Sequence, residues 1–314
     1  MSERGPSLSV IESKEGKQEA SSSELVQPSL ADVLPSLASP LASVYPGSLS
    51  VSNSTALVPR ILSYNVNGLS YYASDPDGIM RKGLAVQAIS DFVSKCDVIC
   101  LQETNLTRAE HLCFSSLPGC TVSYNSFKRG VAGTLIIDTP SILRFYLPLD
   151  ISLPLHCGGY VQCRRYMPLS STHKAFQIVN CYFFTGPDKF AVQSKLLDGV
   201  RQIGNLFPTF MCGDFNFISS TADSSSPNPA LPPVEFAEKF ESLKEFLDLA
   251  EAPHSDHTYF HLTSDVTSPH SHSSRLDRFF VPSFLANSPV FEPAVSIMPQ
   301  LQSGQLLWRT YTVL

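Results

Sequence analysis

Residues 211–217 read Met-Cys-Gly-Asp-Phe-Asn-Phe: an apolar run from Phe207 to Cys212 ends in a glycine and then presents a carboxylate, Asp214, and a carboxamide, Asn216. In an extended chain, alternation puts both on the same side. A carboxylate can orient or deprotonate a water and an amide can hold a phosphoryl oxygen, so the pair suits hydrolysis of a phosphate ester beside a hard metal ion. The same residues also suit a plain turn in which Asn or Asp takes an unusual dihedral. The two readings differ in what else gathers at the strand end.

Four further segments place polar residues at the ends of apolar runs. Ser63-Tyr64-Asn65-Val66-Asn67-Gly68-Leu69 closes the first run with two amides, and Leu101-Gln102-Glu103-Thr104 closes the second with an isolated glutamate. Asn180-Cys181-Tyr182 ends another with a tyrosine, and Ser274-Arg275-Leu276-Asp277-Arg278-Phe279-Phe280 opens the last. Each segment has a structural alternative. Asn65 and Asn67 could serve a turn, Glu103 could cap a following helix, Tyr182 could be a core aromatic with a wet hydroxyl, and Asp277 could pair with its flanking arginines. Active sites in sheet proteins are assembled from the ends of several strands, which makes the five segments together more specific than any one.

The elements that must position these residues are legible as alternating β-like and helical stretches. Strands are expected at Arg60–Val66, Asp97–Gln102, Gly133–Asp138, Ile142–Leu147, Tyr160–Arg165, Phe176–Phe184, Phe207–Cys212, Thr258–His261 and Arg278–Val281. Helices are expected at Met80–Lys95, Lys189–Ile203 and Val234–Leu249; the last turns Phe236, Phe240, Leu243, Phe246 and Leu247 inward. No Rossmann or P-loop glycine signature and no internal repeat is present. The pattern is α/β (α+β), one domain from about residue 58 onward. Residues 1–57, rich in Ser, Pro, Leu and Ala without a sustained period, read as a disordered tail.

Composition bounds the rest. The 314 residues are 43% hydrophobic and 16% charged, with a formal net charge of -6. Residues 1–58 hold three basic and six acidic residues; the remaining 19 basic and 22 acidic residues give the domain -3. That is no global basic footprint of nucleic-acid binding, but a metal site supplies positive charge locally. Eight cysteines without a Cys-x-x-Cys indicate a reducing compartment and no zinc. Without a secretory leader or an apolar run near the ~20 residues a membrane span needs, the expected location is intracellular, nuclear or cytoplasmic, with no membrane and no small-molecule cofactor.

The wording SYNVNGL, LQET, NCY, GDFNF and SRLDRFF, in that order over about residues 58–285, resembles the DNase I-like endonuclease/exonuclease/phosphatase superfamily. It is most similar to apurinic-type nucleases and the endonuclease domains of LINE-type retrotransposons. Inositol-type phosphatases of the superfamily carry a tryptophan before the Gly-Asp, whereas the one tryptophan here is Trp308. The resemblance implies a four-layer sandwich of two mixed β-sheets flanked by helices. It also implies Mg2+- or Mn2+-dependent phosphodiester hydrolysis on DNA. Residue by residue, it implies Glu103 as the main metal ligand with Asn65 and Asn67 on the metal or phosphate. Asp214 would orient the attacking water, Asn216 would hold the scissile phosphate, Tyr182 would contact it, and Asp277 would fix a catalytic histidine.

That histidine belongs to a Ser-Asp-His segment on the superfamily's last strand. Here residues 295–314 contain neither a histidine nor an acidic residue, so the last strand with its Ser-Asp-His reads as missing and residues 58–314 as a domain incomplete at its C-terminus. A Ser255-Asp256-His257 triplet lies upstream of Asp277 and reads as a chance match; His270 and His272 are the other conceivable substitutes. Losing a triad-like member costs orders of magnitude in rate. Three readings follow: an endonuclease of doubtful activity, a lapsed domain that binds nucleic acid or a protein, and a phosphatase for a small phosphate ester.

Overall fold

The structure is a computed structural model that describes residues 58–66, 87, 89–107, 114–126, 131–252, 259–262, 270–287, 295–297 and 309–313. The chain divides into Met1–Ser52 and Asn53–Leu314. The first unit, and with it most of the expected tail, lies outside the described residues.

In chain order the elements are β1 (Ile61–Asn65), α1 (89–93), β2 (Val98–Gln102), β3 (Thr121–Asn125), β4 (Thr134–Asp138), α2 (Pro140–Leu143), β5 (Tyr146–Ile151), β6 (Val161–Pro168) and β7 (Phe176–Tyr182). There follow α3 (Lys189–Arg201), β8 (Thr209–Asp214), α4 (Val234–Phe246), β9 (Leu249–Glu251), β10 (Tyr259–Leu262), β11 (His270–Ser274), β12 (Asp277–Pro282), α5 (Ser283–Ala286), β13 (Val295–Ile297) and β14 (Arg309–Val313). One six-stranded sheet has the order β13-β14-β1-β2-β4-β3, the other β5-β6-β7-β8-β12-β9, and β10-β11 form a separate pair. Each large sheet is mixed, with one parallel pair at its centre, β1/β2 and β7/β8.

Strand alternation decides which residues lie between the sheets. Ile61, Val98, Cys100 and Ile136 of the first sheet meet Tyr166, Phe176, Ile178, Phe210, Cys212, Phe279 and Val281 of the second. Their neighbours point outward: Leu62, Tyr64, Ile99, Leu101, Leu135 and Ile137 pack with Ile89, Phe92 and Val93 of α1. On the far side Val179, Cys181, Met211 and Phe280 pack with Leu196, Leu197 and Val200 of α3 and Phe236, Phe240 and Leu243 of α4. The result is helix, sheet, sheet, helix, the expected four layers. The central strands are covered on both faces, which is why β2, β4, β7, β8 and β12 are buried at every residue.

Several expected boundaries shift. Ile142–Leu147 is not a strand: Pro140 after Thr139 starts the short α2, since proline has a helical φ and no N–H to lose, and the strand begins at Tyr146. Helix α4 stops at Phe246 because Asp248 takes a left-handed φ of 53° and turns the chain into β9. The expected helix Met80–Lys95 is described at 87 and 89–93; Met80, Leu84 and Ala88 lie outside the described residues. The C-terminal segment does provide strands. In β14, antiparallel to β1, Arg309 occupies the register position opposite Asn65, so the sheet continues past β1 through β14 and β13 without a Ser-Asp-His. Among the described residues no helix is long and apolar enough to cross a membrane, and the cysteines are free thiols.

Candidate active site

The inter-sheet columns change character along their length. Going up β1 the inward residues run Ile61, Ser63, Asn65; along β2 they run Val98, Cys100, Gln102; along β7, Phe176, Ile178, Asn180, Tyr182; along β8, Phe210, Cys212, Asp214. Antiparallel β12 begins at the same end with Asp277, opposite Asp214, and continues inward with Phe279 and Val281. Five columns thus become polar at one end of the sandwich.

Just below the site, amides pin the sheets together. Asn180 Nδ2 donates to the Leu101 and Leu135 carbonyls of the opposite sheet at 2.9 and 3.1 Å, and Gln102 Nε2 donates to Asn180 Oδ1 at 2.7 Å and to Ser63 Oγ at 3.1 Å. Both side chains are fully buried. Leaving such a group unpaired costs about 1–3 kcal/mol, so this contact favours one spacing and register of the two sheets.

The Gly213-Asp214-Phe215-Asn216-Phe217 segment is set by its aromatics. Phe215 and Phe217 are buried among Phe183, Phe236, Phe240 and Phe280 with ring centroids 5.0–6.3 Å apart, leaving the polar residues on the other side. Asp214 and Asn216 do come together, but through a turn and not through strand alternation. β8 ends at Asp214, Asn216 adopts a left-handed φ of 51°, and its N–H donates to Asp214 Oδ1 at 2.9 Å. The turn and the site are the same object. Gly213 is obligatory for a different reason: at φ 138° it lets β7 approach so closely that a Cβ would fall 1.9 Å from the Cys181 carbonyl oxygen.

Asn65 is the hub. Its Nδ2 donates to Asp214 Oδ2 at 2.8 Å, and its amide also donates to the Glu103 carboxylate. Burial pushes the Glu103 carboxyl up to about 7; the negative charge of Asp214 adds to the rise, while hydrogen bonds from Asn65 and Tyr182 oppose it. The Tyr182 phenol is pushed far above its ordinary value by burial and by the charges of Glu103 and Asp214, so it stays protonated and able to donate. Thr185 bonds its oxygen, and its ring stacks on Tyr160 at 6.3 Å. Asn216 Nδ2 donates to the Phe183 carbonyl at 2.9 Å, and Lys189 Nζ donates to the Asn216 carbonyl at 3.2 Å.

The structure therefore brings Asn65, Glu103, Tyr182, Asp214, Asn216 and Asp277 to one end of the sandwich. Asn67 lies outside the described residues, as does the Ser255-Asp256-His257 triplet. His270 and His272 fall on β11 and His261 on β10, in the separate pair. Of the other described histidines, His156 bonds the Lys195 carbonyl and His173 packs on Phe145 and Tyr146, at the opposite end of β5 and β6. Sequence reasoning missed Gln102, Thr185 and Lys189. Gln102 had a signal, a polar residue inside an apolar run; Thr185 and Lys189 had none.

Residues 62–296 match the Endonuclease/Exonuclease/phosphatase family. The chain belongs to that family. Solved structures similar to this family member include the 3' phosphatase NExo from Neisseria bound to a product DNA hairpin, at 17% identity over 82% of this chain and 98% of that one, TM-score 0.56. The endonuclease domain of TRAS1, a telomere-specific non-LTR retrotransposon, is 14% identical over 81% and 97%, TM-score 0.51. An AP endonuclease from Archaeoglobus fulgidus is 15% identical over 82% and 99%, TM-score 0.57. At these identities the likeness establishes the DNase I-like fold. A search of curated protein sequences returned no match.

Among the described residues no group of three or more His, Cys, Asp or Glu forms a ready metal cage. The site fits a cation that needs fewer protein ligands: Asp214 lies close enough to Glu103 for its charge to raise the Glu103 carboxyl, and the neighbouring donors are amide and phenol oxygens. An all-oxygen set of one or two carboxylates suits Mg2+ or Mn2+, which keep several waters.

Proposed function

We propose that the chain hydrolyses phosphodiesters of DNA with Mg2+ or Mn2+. The observation that carries the reading is the Asn65 amide, which ties Glu103 to Asp214, while Tyr182 donates to Glu103. A divalent ion bound by Glu103 and Asn65 would neutralise a phosphoryl oxygen and stabilise the departing alkoxide. The Asp214 carboxylate accepts from Asn65 Nδ2 and from the Asn216 N–H, which hold it in place to orient a water and take its proton. Asn216, held against Asp214 by the same turn, would hold the phosphate. Tyr182, kept protonated, has one O–H, which would turn from Glu103 to phosphate oxygen or to the leaving group once Glu103 holds the ion.

Asp277 faces Asp214 across the β8/β12 ladder, where an orienting carboxylate belongs, but β14 carries Arg309 and no histidine to the position beside Asn65. This favours a slow enzyme, with a lapsed binding domain as the second reading. Mg2+-dependent nicking of supercoiled or abasic DNA, abolished by Asp214→Ala, is the expected result. Absence of nicking by well-folded protein at any Mg2+ or Mn2+ concentration sinks the enzymatic reading. A parallel panel of phosphate monoesters tests whether a small ester is the substrate instead.

A further inference from the structure

Glu103 is held in a conformation that needs external support. It has φ 54° and Asn105 has φ 53°, a region that residues with a side chain seldom adopt. Two backbone bonds hold the segment: Thr104 N–H to the Gly133 carbonyl at 3.0 Å and Asn105 N–H to the Ala132 carbonyl at 2.7 Å. The supporting strand end is itself left-handed, with Ala132 at φ 53° and Gly133 at φ 105°. A Cβ on Gly133 would stand 2.5 Å from Thr104 Oγ1, so there is no slack at this contact.

That strand end is anchored in turn to the connection between Cys157 and Val161, which belongs to the other sheet. Gly133 N–H donates to the Gly159 carbonyl at 2.8 Å. The next residue, Tyr160, accepts the Tyr182 N–H at 2.7 Å and stacks its ring on the Tyr182 ring with an interplanar angle of 8°. One short connection therefore supports Glu103 on one side and Tyr182 on the other. A side chain from the end of β3 holds it in place: Asn125 Oδ1 accepts the Gly159 N–H at 3.1 Å, and Asn125 Nδ2 donates to the Val161 carbonyl at 2.6 Å and the Cys157 carbonyl at 3.4 Å.

We propose that Asn125 is a positioning residue for the site: it fixes the 157–161 connection against the first sheet and, through Gly159 and Gly133, sets the carboxylate of Glu103 relative to the hydroxyl of Tyr182. The inference rests on the reading of Glu103 as a metal ligand. Asn125 touches neither Glu103 nor the reacting atoms; it acts by bracing the strained backbone that presents the ligand. Outer groups that orient a ligand typically change metal affinity by about 10–100-fold when removed.

The test is Mn2+ titration of the metal-free protein, by calorimetry, for wild type, Asn125→Ala and Gln177→Ala. Gln177 lies at the opposite end of β7, where its Nε2 holds the Gly204 carbonyl and Thr209 Oγ1, and it reports what loss of a buried amide does to stability alone. Asn125→Ala is expected to weaken Mn2+ binding roughly 10–100-fold and to lower kcat with the KM for DNA little changed, while Gln177→Ala lowers Tm and leaves Mn2+ affinity intact. Equal Mn2+ affinity in wild type and Asn125→Ala, or equal weakening in both variants, overturns the proposal. If Asn125→Ala does not fold, Asn125→Asp, which keeps the acceptor for Gly159 and drops the donor to Val161, is read in the same way. If wild type binds no Mn2+, the metal reading fails by itself, and a crystal structure of the Asn125 variant decides the positioning role. Glu103 leaving its left-handed conformation supports it; an unmoved Glu103 and 157–161 connection refutes it.

Discussion

One amide carries more of the site than any carboxylate does. Asn65 donates to both Glu103 and Asp214, groups that come from different sheets and repel each other once ionised. A carboxylate at position 65 would add a third negative charge, and an aliphatic residue would leave both acids without a shared donor. An asparagine offers two N–H donors toward the acids and keeps a carbonyl oxygen for a cation or a phosphate-bound water. Asn65→Ala is therefore expected to weaken Mn2+ binding by about 10–100-fold, read by calorimetry near pH 8. Stability in the metal-free state should change far less, because Asn65 is only partly buried. An unchanged metal affinity would show that Asn65 serves the turn and not the site.

At the scale of elements, the site depends on how closely β7 and β8 approach and on what holds the segments after them. Gly213→Ala forces a Cβ against the Cys181 carbonyl at a backbone φ that alanine resists. The strands must part or the chain must rotate, at a cost of about 1–3 kcal/mol from overpacking alone. A lowered urea midpoint together with loss of any nicking activity is the expected outcome; a midpoint equal to wild type contradicts the close approach. Behind β12 the fully buried Arg278 bonds Asp223 at 2.6 Å and Glu251 at 2.9 Å, and Arg275 also bonds Asp223, whose carboxylate accepts the Ser219 and Ser220 N–H groups as well. Burial by itself would raise the Asp223 carboxyl, but the Arg278 charge and the bonds from Arg278, Ser219 and Arg275 hold it well below the usual range. Its stabilisation is present above the unfolded value near pH ~4 and is lost as pH falls toward the folded value. Asp223→Ala should cost about 3–5 kcal/mol at neutral pH, because it strips a buried arginine of a partner. In urea titrations the gap to wild type should narrow below pH ~4. The network also marks where sequence reading stops. Inward columns of β1, β2, β7 and β8 were legible because apolar runs ending in Asn, Glu, Tyr and Asp follow from period two and burial. Asp223 was not, since it lies in a serine-rich stretch and its two arginine partners are 52 and 55 residues away. Strand β9 was read as the end of the preceding helix, and β3, β11, β13 and β14 escaped for a related reason: Thr-Val-Ser-Tyr-Asn or Arg-Thr-Tyr-Thr-Val shows no strong apolar periodicity, and pairing with a neighbour makes it a strand.

For the whole molecule, net charge governs how a polyanion can approach. Outside residues 1–58 the chain has 19 basic and 22 acidic residues, so no long-range field draws DNA toward it. The site gathers Glu103, Asp214 and Asp277, and without an ion it would repel a phosphodiester. A bound divalent cation cancels two of those charges and presents its own positive charge to the phosphate. DNA affinity should therefore depend on the metal more than on protein cations. Anisotropy of a labelled duplex with Asp214→Asn, which keeps a side chain of the same shape and leaves the DNA uncut, should show binding at least about tenfold tighter in Mg2+ than in EDTA, ~1.4 kcal/mol. If the ion and not Lys or Arg supplies the positive charge that meets the phosphates, log K against log salt should have a shallow slope, roughly -2 to -3. A steep slope with equal affinity in EDTA would instead place the binding on a cationic surface and remove the reason for three acids to meet at one end of the sandwich.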